Sequence, residues 1–290
     1  AEAGVTGVEL ERVDPLYDLH FDDGTVVTKV ADVVDQAIAI ERQFGEGRGF
    51  YEFMHQKEKD YETSVSKFLE RGYHRKTELL HPEMMRPLLQ MHALETAHDH
   101  LKRYFKSKYL RMAYSFPTFY IGGNPYTTPS IYGLIPYREQ AEGVWYVKGG
   151  YFSLAERMYD TLIERGVRFV FEAPVERIVV DRGQATEIVL QDGTHEAFDQ
   201  IVLNGEFPLM ERLVEGKKPK TYAPSGGTLL LYFKMKGKVD LPVHRFLMPN
   251  DLEPLMTNIF KKGRLPDHPA VYLFHPSQID SSLTGTEDSV

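Results

Sequence analysis

Residues 115–150, SFPTFYIGGNPYTTPSIYGLIPYREQAEGVWYVKGG, constrain the fold more than any other stretch of this chain. The stretch is dense in aromatic residues, glycine and proline and poor in charge, which is unusual for a solvated loop. Its helix breakers are Pro117, Pro125 and Pro129, and its glycine pairs are Gly122 with Gly123 and Gly149 with Gly150. Two interpretations stay open. The stretch is either a connection packed in the core or the lining of a ligand site. Such a site would hold a large apolar ligand against a second group that approaches the backbone closely at the glycines.

The composition excludes several classes of site. The chain has 290 residues, 42% of them hydrophobic, which is enough to bury a substantial core. It has no cysteine, which excludes disulfides, thiolate metal sites and a cysteine nucleophile. A net charge of −8 argues against nucleic acid as a partner. The sequence shows neither a signal peptide nor an apolar run of about 18 residues, so a cytoplasmic location is the default expectation.

Apolar periodicity predicts alternating helices and strands. We predict strands at 8–13, 17–21, 25–28, 144–147, 168–172, 175–181, 186–190, 200–203, 227–236, 245–248 and 270–274. We predict helices at 33–44, 50–72, within 82–109, and at 128–140, 154–165 and 252–261. Asp32 is expected to cap the first helix and Thr128 the helix at 128–140, with Pro129 at its first position. Asp22, Asp23 and Gly24 predict a hairpin turn.

Two motif-like clusters carry no site in our interpretation. The glycines of 45–49 follow a helix and do not have the spacing of a phosphate-binding loop, so we predict no nucleotide there. His92, His98 and His100 would diverge around a continuous helix, and no acidic residue completes a ligand pair at i, i+4. We therefore predict no metal site.

Three linked segments carry a resemblance to a known family. They are LRMAYSF at 110–116, IGGNPYTTPSIY at 121–132 and GVWYVKGG at 143–150. The segment DPLY at 14–17, followed by a DG turn, resembles a segment of the same family. The chain resembles the bacterial carotenoid desaturases, the phytoene and dehydrosqualene (diapophytoene) desaturases of the flavin-dependent amine oxidase superfamily, and the resemblance covers essentially the whole chain.

This resemblance implies an α/β (α+β) fold. It implies part of a glutathione-reductase-type FAD-binding domain together with a mixed-sheet substrate domain that has a helical, membrane-facing subdomain. The expected division is substrate-domain strands at 1–30, the helical subdomain at 31–142, the middle of the FAD-binding domain at 143–222 and the substrate-domain sheet at 223–290. The family's glycine-rich FAD motifs near both termini are absent here. We therefore expect an internal piece of a longer enzyme that does not retain FAD by itself.

The resemblance also implies chemistry and site residues. The expected reaction is oxidation of a linear C30 or C40 polyene by hydride transfer to FAD, at the inner face of the cell membrane, with the C30 substrate ranked slightly first. Arg111 matches the family's LR arginine and is expected to orient the flavin or tune developing charge. An ion pair with Glu95 or Asp99 is the alternative role of Arg111. The other expected contacts are Lys148, Gly149, Gly150 and Val175 for FAD and Phe116, Tyr120, Tyr126 and Tyr132 for the substrate.

Two alternatives remain open at this stage. One is another flavin oxidase of the same superfamily, acting on an amine or a porphyrinogen. The other is a non-catalytic protein that binds an isoprenoid without FAD. The sequence does not specify oligomeric state or the final electron acceptor.

Overall fold

The chain divides into two units, and the division falls inside one helix. The structure is a computed structural model, and it describes residues 4–70, 72–73, 75–79, 81–222 and 227–284. The first unit comprises Val5–Arg157 with the described residues of 226–290. The second comprises Gly4 with the described residues of 158–225.

The strands form three small sheets. They are β1 (Leu10–Val13), β2 (Tyr17–Phe21), β3 (Val26–Lys29), β4 (Val144–Val147), β5 (Val175–Asp181), β6 (Gln184–Leu190), β7 (His195–Ala197), β8 (His244–Met248) and β9 (Val271–Phe274). In the first unit, β1 pairs antiparallel with β4, and a second sheet has the order β3-β2-β8-β9. The β2–β8 pair is parallel and its neighbours are antiparallel, so this sheet is mixed.

The described residues contain ten α-helices. They are α1 (Val33–Phe44), α2 (Gly47–Ser64), α3 (Lys76–Leu79), α4 (Pro82–Gln90), α5 (Ala97–His100), α6 (Lys108–Ser115), α7 (Leu134–Glu142), α8 (Tyr151–Glu164), α9 (Phe207–Leu213) and α10 (Leu252–Phe260). A π-helical turn, Val65–Leu69, continues α2, and 3-10 segments run over Phe116–Ile121 and Ser130–Gly133. The mixture of helices with parallel and antiparallel strands agrees with the predicted α/β class.

Local chemistry explains where several elements begin and end. The carboxylate of Asp32 accepts hydrogen bonds from the backbone amides of Val34 and Asp35, so α1 begins at the predicted cap. The helix ends at Gly45, whose φ of 69° is the left-handed conformation that glycine adopts without strain. The predicted hairpin turn joins β2 to β3, with Gly24 at φ 86°.

The core of the first unit lies between its mixed sheet and its helices. Leu16 and Leu19 on the sheet side pack with Phe50, Phe53 and Leu110 on the helices, all fully buried. Each such large apolar side chain contributes about 1.5–3 kcal/mol on burial. Across the parallel β2–β8 pair, Arg245 donates two hydrogen bonds, of 2.9 and 2.7 Å, to the carboxylate of Asp18.

The second unit contains an antiparallel meander. β5 pairs with β6 and β6 with β7, and the predicted turn at Asp192 and Gly193 connects the last two strands. Ile178 on β5 also bridges to Val214, just after α9.

Several predicted elements were wrong. No strand forms at 168–172, 200–203 or 227–236 in the described chain, although the last alternates apolar residues. Alternation stabilises a strand only where a neighbouring strand supplies hydrogen bonds and a packing face, and Leu229 and Leu231 remain 84% and 67% exposed. Thr128 does not cap a helix: the 3-10 segment Ser130–Gly133 begins after Pro129, α7 begins after Gly133, and neither start has a side-chain cap hydrogen bond.

Within the described residues, none of the helices combines the length and the apolar character that crossing a membrane requires.

Candidate functional site

An aromatic cavity of about 570 Å³ lies within the first unit. Its walls come from β2, β4, β8 and β9, the 3-10 segment Phe116–Ile121 and α7, with two residues from connecting segments. The lining residues are Tyr17, Phe116, Phe119, Tyr120, Glu139, Val144, Thr228, His244, Phe246, Met248, Ala270, Val271 and Tyr272. A cavity of this size with few polar groups is typical of a site for a small or medium-sized apolar ligand.

The alternating directions of strand side chains produce one wall of the cavity. His244, Phe246 and Met248 are two residues apart on β8 and therefore face the same side of the sheet. The Phe246 ring centroid lies 4.7 Å from that of Phe116 and 4.7 Å from that of Tyr272. These ring contacts fix the wall as a continuous aromatic surface.

A buried polar network forms another part of the wall. The Lys29 Nζ donates to the Tyr17 hydroxyl at 2.7 Å and to the Glu139 carboxylate at 2.8 Å, and the Tyr17 hydroxyl donates to the same carboxylate at 2.8 Å. Burial lowers the pKa of Lys29, partly offset by the charge of Glu139. Burial and, next, the charge of Glu139 raise the pKa of Tyr17 well above its usual value. The Lys29 ammonium also lies 4.9 Å from the centroid of the Tyr114 ring.

Sequence reasoning missed this network. Lys29 lies two residues after buried Val27 and directly opposite Tyr17 in the antiparallel register. Residues two apart on a strand face the same side, so the sequence places Lys29 on the core-facing side with Val27. A lysine at such a position is the signal that could have identified the network. Glu139 carried no comparable signal, because α7 has only a faint apolar stripe.

His244 and Tyr272 form a second polar pair in the lining. The Nδ1 of His244 lies 2.7 Å from the Tyr272 hydroxyl, and the two rings stack with an interplanar angle of 20°. Burial lowers the pKa of His244 to about 4, so the imidazole is neutral at neutral pH.

The structure brings together two of the four predicted substrate residues. Phe116 and Tyr120 line the cavity, and their rings meet edge to face at 5.8 Å. Tyr126 is outside the lining and packs against His98, with ring centroids 4.6 Å apart. Tyr132 is also outside it and is 40% exposed. Both lie beyond the cavity because the chain after Ile121 turns away through Gly122, at φ 68°.

Arg111 lies on α6, outside the cavity lining. Its Nη1 donates to the carbonyl oxygens of Phe105 and Lys106, the first at 3.1 Å, and its Nε is buried without a hydrogen-bond partner. Neither alternative ion pair of Arg111 is formed: Glu95 pairs with Arg103, and Asp99 pairs with Lys102.

The predicted FAD residues fall in both units. Lys148 pairs with Glu11 and donates to the Ile279 carbonyl at 2.6 Å, and the Gly149 amide donates to Asp280 at 2.7 Å. Gly150 has φ 82°, and a Cβ atom there would meet no atom within 4 Å.

Val175 belongs to the second unit. It is the first residue of β5 and pairs with Leu190 on β6.

The prediction that the three histidines diverge was wrong for His92 and His100. They do not share a helix, since α4 ends at Gln90 and α5 begins at Ala97, and their ring centroids are 5.1 Å apart. Both contact the carboxylate of Glu95, at 3.2 Å from His92 Nδ1 and 3.1 Å from His100 Nδ1. Arg103 binds both oxygens of that carboxylate and lowers the pKa of Glu95 to about 2. The cluster therefore forms a hydrogen-bonded network around Glu95, in which Arg103 is the charged partner.

Comparison with known proteins gives the family. The sequence profile described as flavin containing amine oxidoreductase matches residues 3–252. The chain is 37% identical over 288 residues to 4,4'-diapolycopen-4-al dehydrogenase of Metabacillus indicus, covering 97% of this chain and 58% of that protein. It is 32% identical to phytoene desaturase of Cercospora nicotianae, covering 95% of this chain and 46% of the relative. It is 31% identical to the zeta-carotene-forming phytoene desaturase of Myxococcus xanthus, covering 94% and 54%.

The chain thus spans about half the length of the curated relatives it matches. The profile match extends over most of the chain, from the first sheet to the first residue of α10. The predicted family resemblance is confirmed: the chain belongs to the flavin-containing amine oxidoreductase family, and the relatives that it is similar to include phytoene desaturases.

Proposed function

We propose that the full-length product of this gene uses FAD to desaturate a linear isoprenoid polyene, and that the aromatic cavity holds the polyene chain. The single observation that carries the proposal is the cavity itself, whose accessible lining is mainly apolar and aromatic. A hydrocarbon chain offers no hydrogen bonds, so apolar burial and ring contacts are what bind it. Three relatives named for carotenoid or diapocarotenoid oxidation support the substrate class.

The backbone at Gly150 leaves room for a flavin to approach. The backbone of Gly150 is open where a side chain would stand, and Gly150 directly precedes the 14-residue helix α8. The amides at the start of such a helix favour a phosphate or another electron-rich group. Lys148 and Gly149 bind Ile279 and Asp280, and the Gly150 amide donates to the Val147 carbonyl at 2.9 Å. We propose that these bonds hold the turn and that the side of Gly150 that lacks a Cβ atom makes the approach.

The other FAD contacts rest on the family resemblance. We propose that Val175 contacts the adenine of FAD through its backbone and that Arg111 acts on the flavin by orientation or charge. Bound FAD supplies the hydride acceptor for the reaction.

The lining residues contribute orientation and a dry environment. Phe116, Phe246 and Tyr272 form a continuous ring surface against which a flat conjugated chain stacks. The neutral imidazole of His244 is hydrogen-bonded to Tyr272, so this pair adds no net charge to the cavity. Exclusion of water prevents competing reactions at an activated allylic carbon.

The charge of the cavity argues against an amine substrate. A buried ammonium group is best held by a carboxylate that has no other partner, but Glu139 of the lining is already paired with Lys29 at 2.8 Å. The pair is neutral overall, which suits an uncharged polyene. The 37% identity to a diapolycopenal dehydrogenase leads us to propose a C30 rather than a C40 substrate.

We also propose that the helical part of the first unit contacts the membrane that stores such substrates. Leu69, Leu89 and Leu94 are large apolar side chains there that are 70%, 54% and 83% exposed. Leu69 ends the π-helical turn, Leu89 lies on α4 and Leu94 lies in the turn after it. A contiguous exposed apolar patch is typical of a surface that enters the lipid interface.

Expression in a bacterium that accumulates either diapophytoene or phytoene tests the proposal. The expected result is a product with a longer conjugated chain and two fewer hydrogens per step, formed from the C30 compound more readily than from the C40 compound. Accumulation of unchanged substrate with a folded, flavin-loaded protein would contradict the enzyme proposal. Unchanged substrate bound tightly to a flavin-free protein would favour the non-catalytic isoprenoid carrier.

A further inference from the structure

His92, Glu95 and His100 form a compact set of metal-ligating side chains that the proposed function does not use. The two histidine Nδ1 atoms lie 3.2 and 3.1 Å from the two oxygens of the Glu95 carboxylate. One potential ligand atom from each residue lies within 4.8 Å of the other two. The histidines do not share a continuous helix, and Glu95 supplies the acidic group, so both reasons for predicting no metal site fail in the structure.

This donor set suits a divalent transition-metal ion. Zn²⁺ binds imidazole nitrogen and carboxylate oxygen at about 2.0–2.2 Å, which places the ligand atoms of a tetrahedral site about 3.3–3.6 Å apart. The two contacts between histidine and glutamate already have nearly this length. Mg²⁺ and Ca²⁺ prefer sets of oxygen ligands, so two imidazoles favour zinc or a similar ion.

The protonation state of His100 also suits a metal ligand. Burial and, next, the charge of Lys57 lower the pKa of His100 to about 4, so its imidazole is neutral at neutral pH. Its Nε2 is buried without a hydrogen-bond partner among the described residues, so no second contact holds the proton on Nδ1. A metal-binding histidine usually has a partner on its other nitrogen, and the lack of one costs about 10- to 100-fold in affinity. We therefore expect moderate affinity.

The backbone around the set is held in place by one buried residue. The Ser130 hydroxyl donates to the His92 carbonyl at 2.6 Å, and the Ser130 amide donates to the Glu95 carbonyl at 2.9 Å. His92 has φ 54°, a left-handed conformation that costs free energy for a residue other than glycine. Such backbone strain is typical of functional sites, and here it occurs at a residue whose side chain contacts Glu95.

Arg103 binds the same carboxylate and would compete with a metal ion. Its Nε donates to one Glu95 oxygen at 3.1 Å, and its Nη2 donates to the other. The Arg103 side chain is 52% exposed and can turn into solvent. The side chain of His92 is 37% exposed, so an ion can reach the set from the same solvent side.

We propose that His92, Glu95 and His100 bind one divalent transition-metal ion such as Zn²⁺, and that Arg103 releases the carboxylate when the ion binds. The bound ion connects the turn after α4 to the last residue of α5. None of the three ligands lines the aromatic cavity, so the proposal does not depend on the proposed function.

The test is a titration of the full-length, FAD-loaded protein with Zn²⁺ in competition with a coloured chelator, after bound metal has been removed. His92→Asn removes an exposed ligand, and asparagine tolerates a positive φ. Arg103→Gln removes the competing charge. The matched control is His55→Asn, since His55 is an exposed histidine on α2 that lies 3.8 Å from the carboxylate of Glu58.

We expect His92→Asn to weaken Zn²⁺ binding at least about 10-fold, and His55→Asn to leave it unchanged. Arg103→Gln should tighten binding about 2- to 5-fold, because an exposed ion pair no longer has to be broken. A gain in affinity cannot result from misfolding, so this variant remains informative if His92→Asn folds poorly. The absence of saturable Zn²⁺ binding, or binding that His92→Asn leaves unchanged, overturns the proposal. An affinity that Arg103→Gln does not raise overturns the competition for Glu95.

Discussion

The Lys29–Glu139 ion pair gives a prediction whose magnitude follows from its burial. Lys29→Met leaves the Glu139 carboxylate without its 2.8 Å partner, and Glu139→Gln leaves the fully buried ammonium without its counter-charge. Removing one partner of a buried pair costs about 3–5 kcal/mol. We expect the lower end, about 3 kcal/mol of unfolding free energy for each variant. Glu139 retains contact with solvent, and Lys29 loses its proton more easily than usual.

The double variant separates this account from simple loss of packing. Lys29→Met with Glu139→Gln removes both charges and leaves side chains of similar volume, so we expect it to be destabilised by no more than about 2 kcal/mol. The assay is urea unfolding of the 290-residue chain at neutral pH, followed by the fluorescence of Trp145. Trp145 is the single tryptophan and lies on β4 in the same unit as the pair. A double variant destabilised by the full sum of the two single changes would refute the reasoning.

Four further outcomes follow from the structure. Ala270→Phe places a ring in the cavity and should weaken binding of a C30 polyene at least about 5-fold with little change in stability; unchanged affinity would exclude this cavity as the polyene site. His100 is buried and has its pKa lowered to about 4, mainly by burial, so the unfolded chain binds the extra proton first. Stability should fall by at most about 3 kcal/mol as pH drops from 6.5 to 4, and His100→Asn should flatten that slope in urea titrations. Asp32→Ala removes the cap of α1 and should cost about 1 kcal/mol, whereas Asp35→Ala, which caps nothing, should cost less in the same assay. Leu94→Glu should reduce co-sedimentation with anionic lipid vesicles, and an unchanged bound fraction would count against a membrane surface there.

Local signals in the sequence predicted elements of both units. The bounds of α1, β2 and β5 agree with the prediction at both ends, because each has a clear cap, turn or apolar period at its limits. The predicted strand at 227–236 failed for the opposite reason. Its alternation is clear, but a strand is stabilised mainly by hydrogen bonds and side-chain packing with an adjacent strand. The sequence of one segment does not show whether an adjacent strand is present.

The candidate site was predictable only where it lies on one continuous stretch. Phe116 and Tyr120 are four residues apart in the aromatic segment, and both line the cavity. Lys29 and Glu139 are 110 residues apart, and only the pairing of β3 with β2 and the packing of α7 bring them together. Motif spacing relates residues that are close along the chain. It therefore does not predict a network between residues that only the fold brings together.

The most direct test of the central proposal is an anaerobic single turnover of the full-length, FAD-loaded protein with a linear C30 polyene. The account predicts that the flavin absorption bleaches as the polyene band shifts to longer wavelength, with one flavin reduced for each pair of hydrogens lost by mass spectrometry. Ala270→Phe should slow both changes together. A flavin that stays oxidised while the protein binds the polyene would contradict the account.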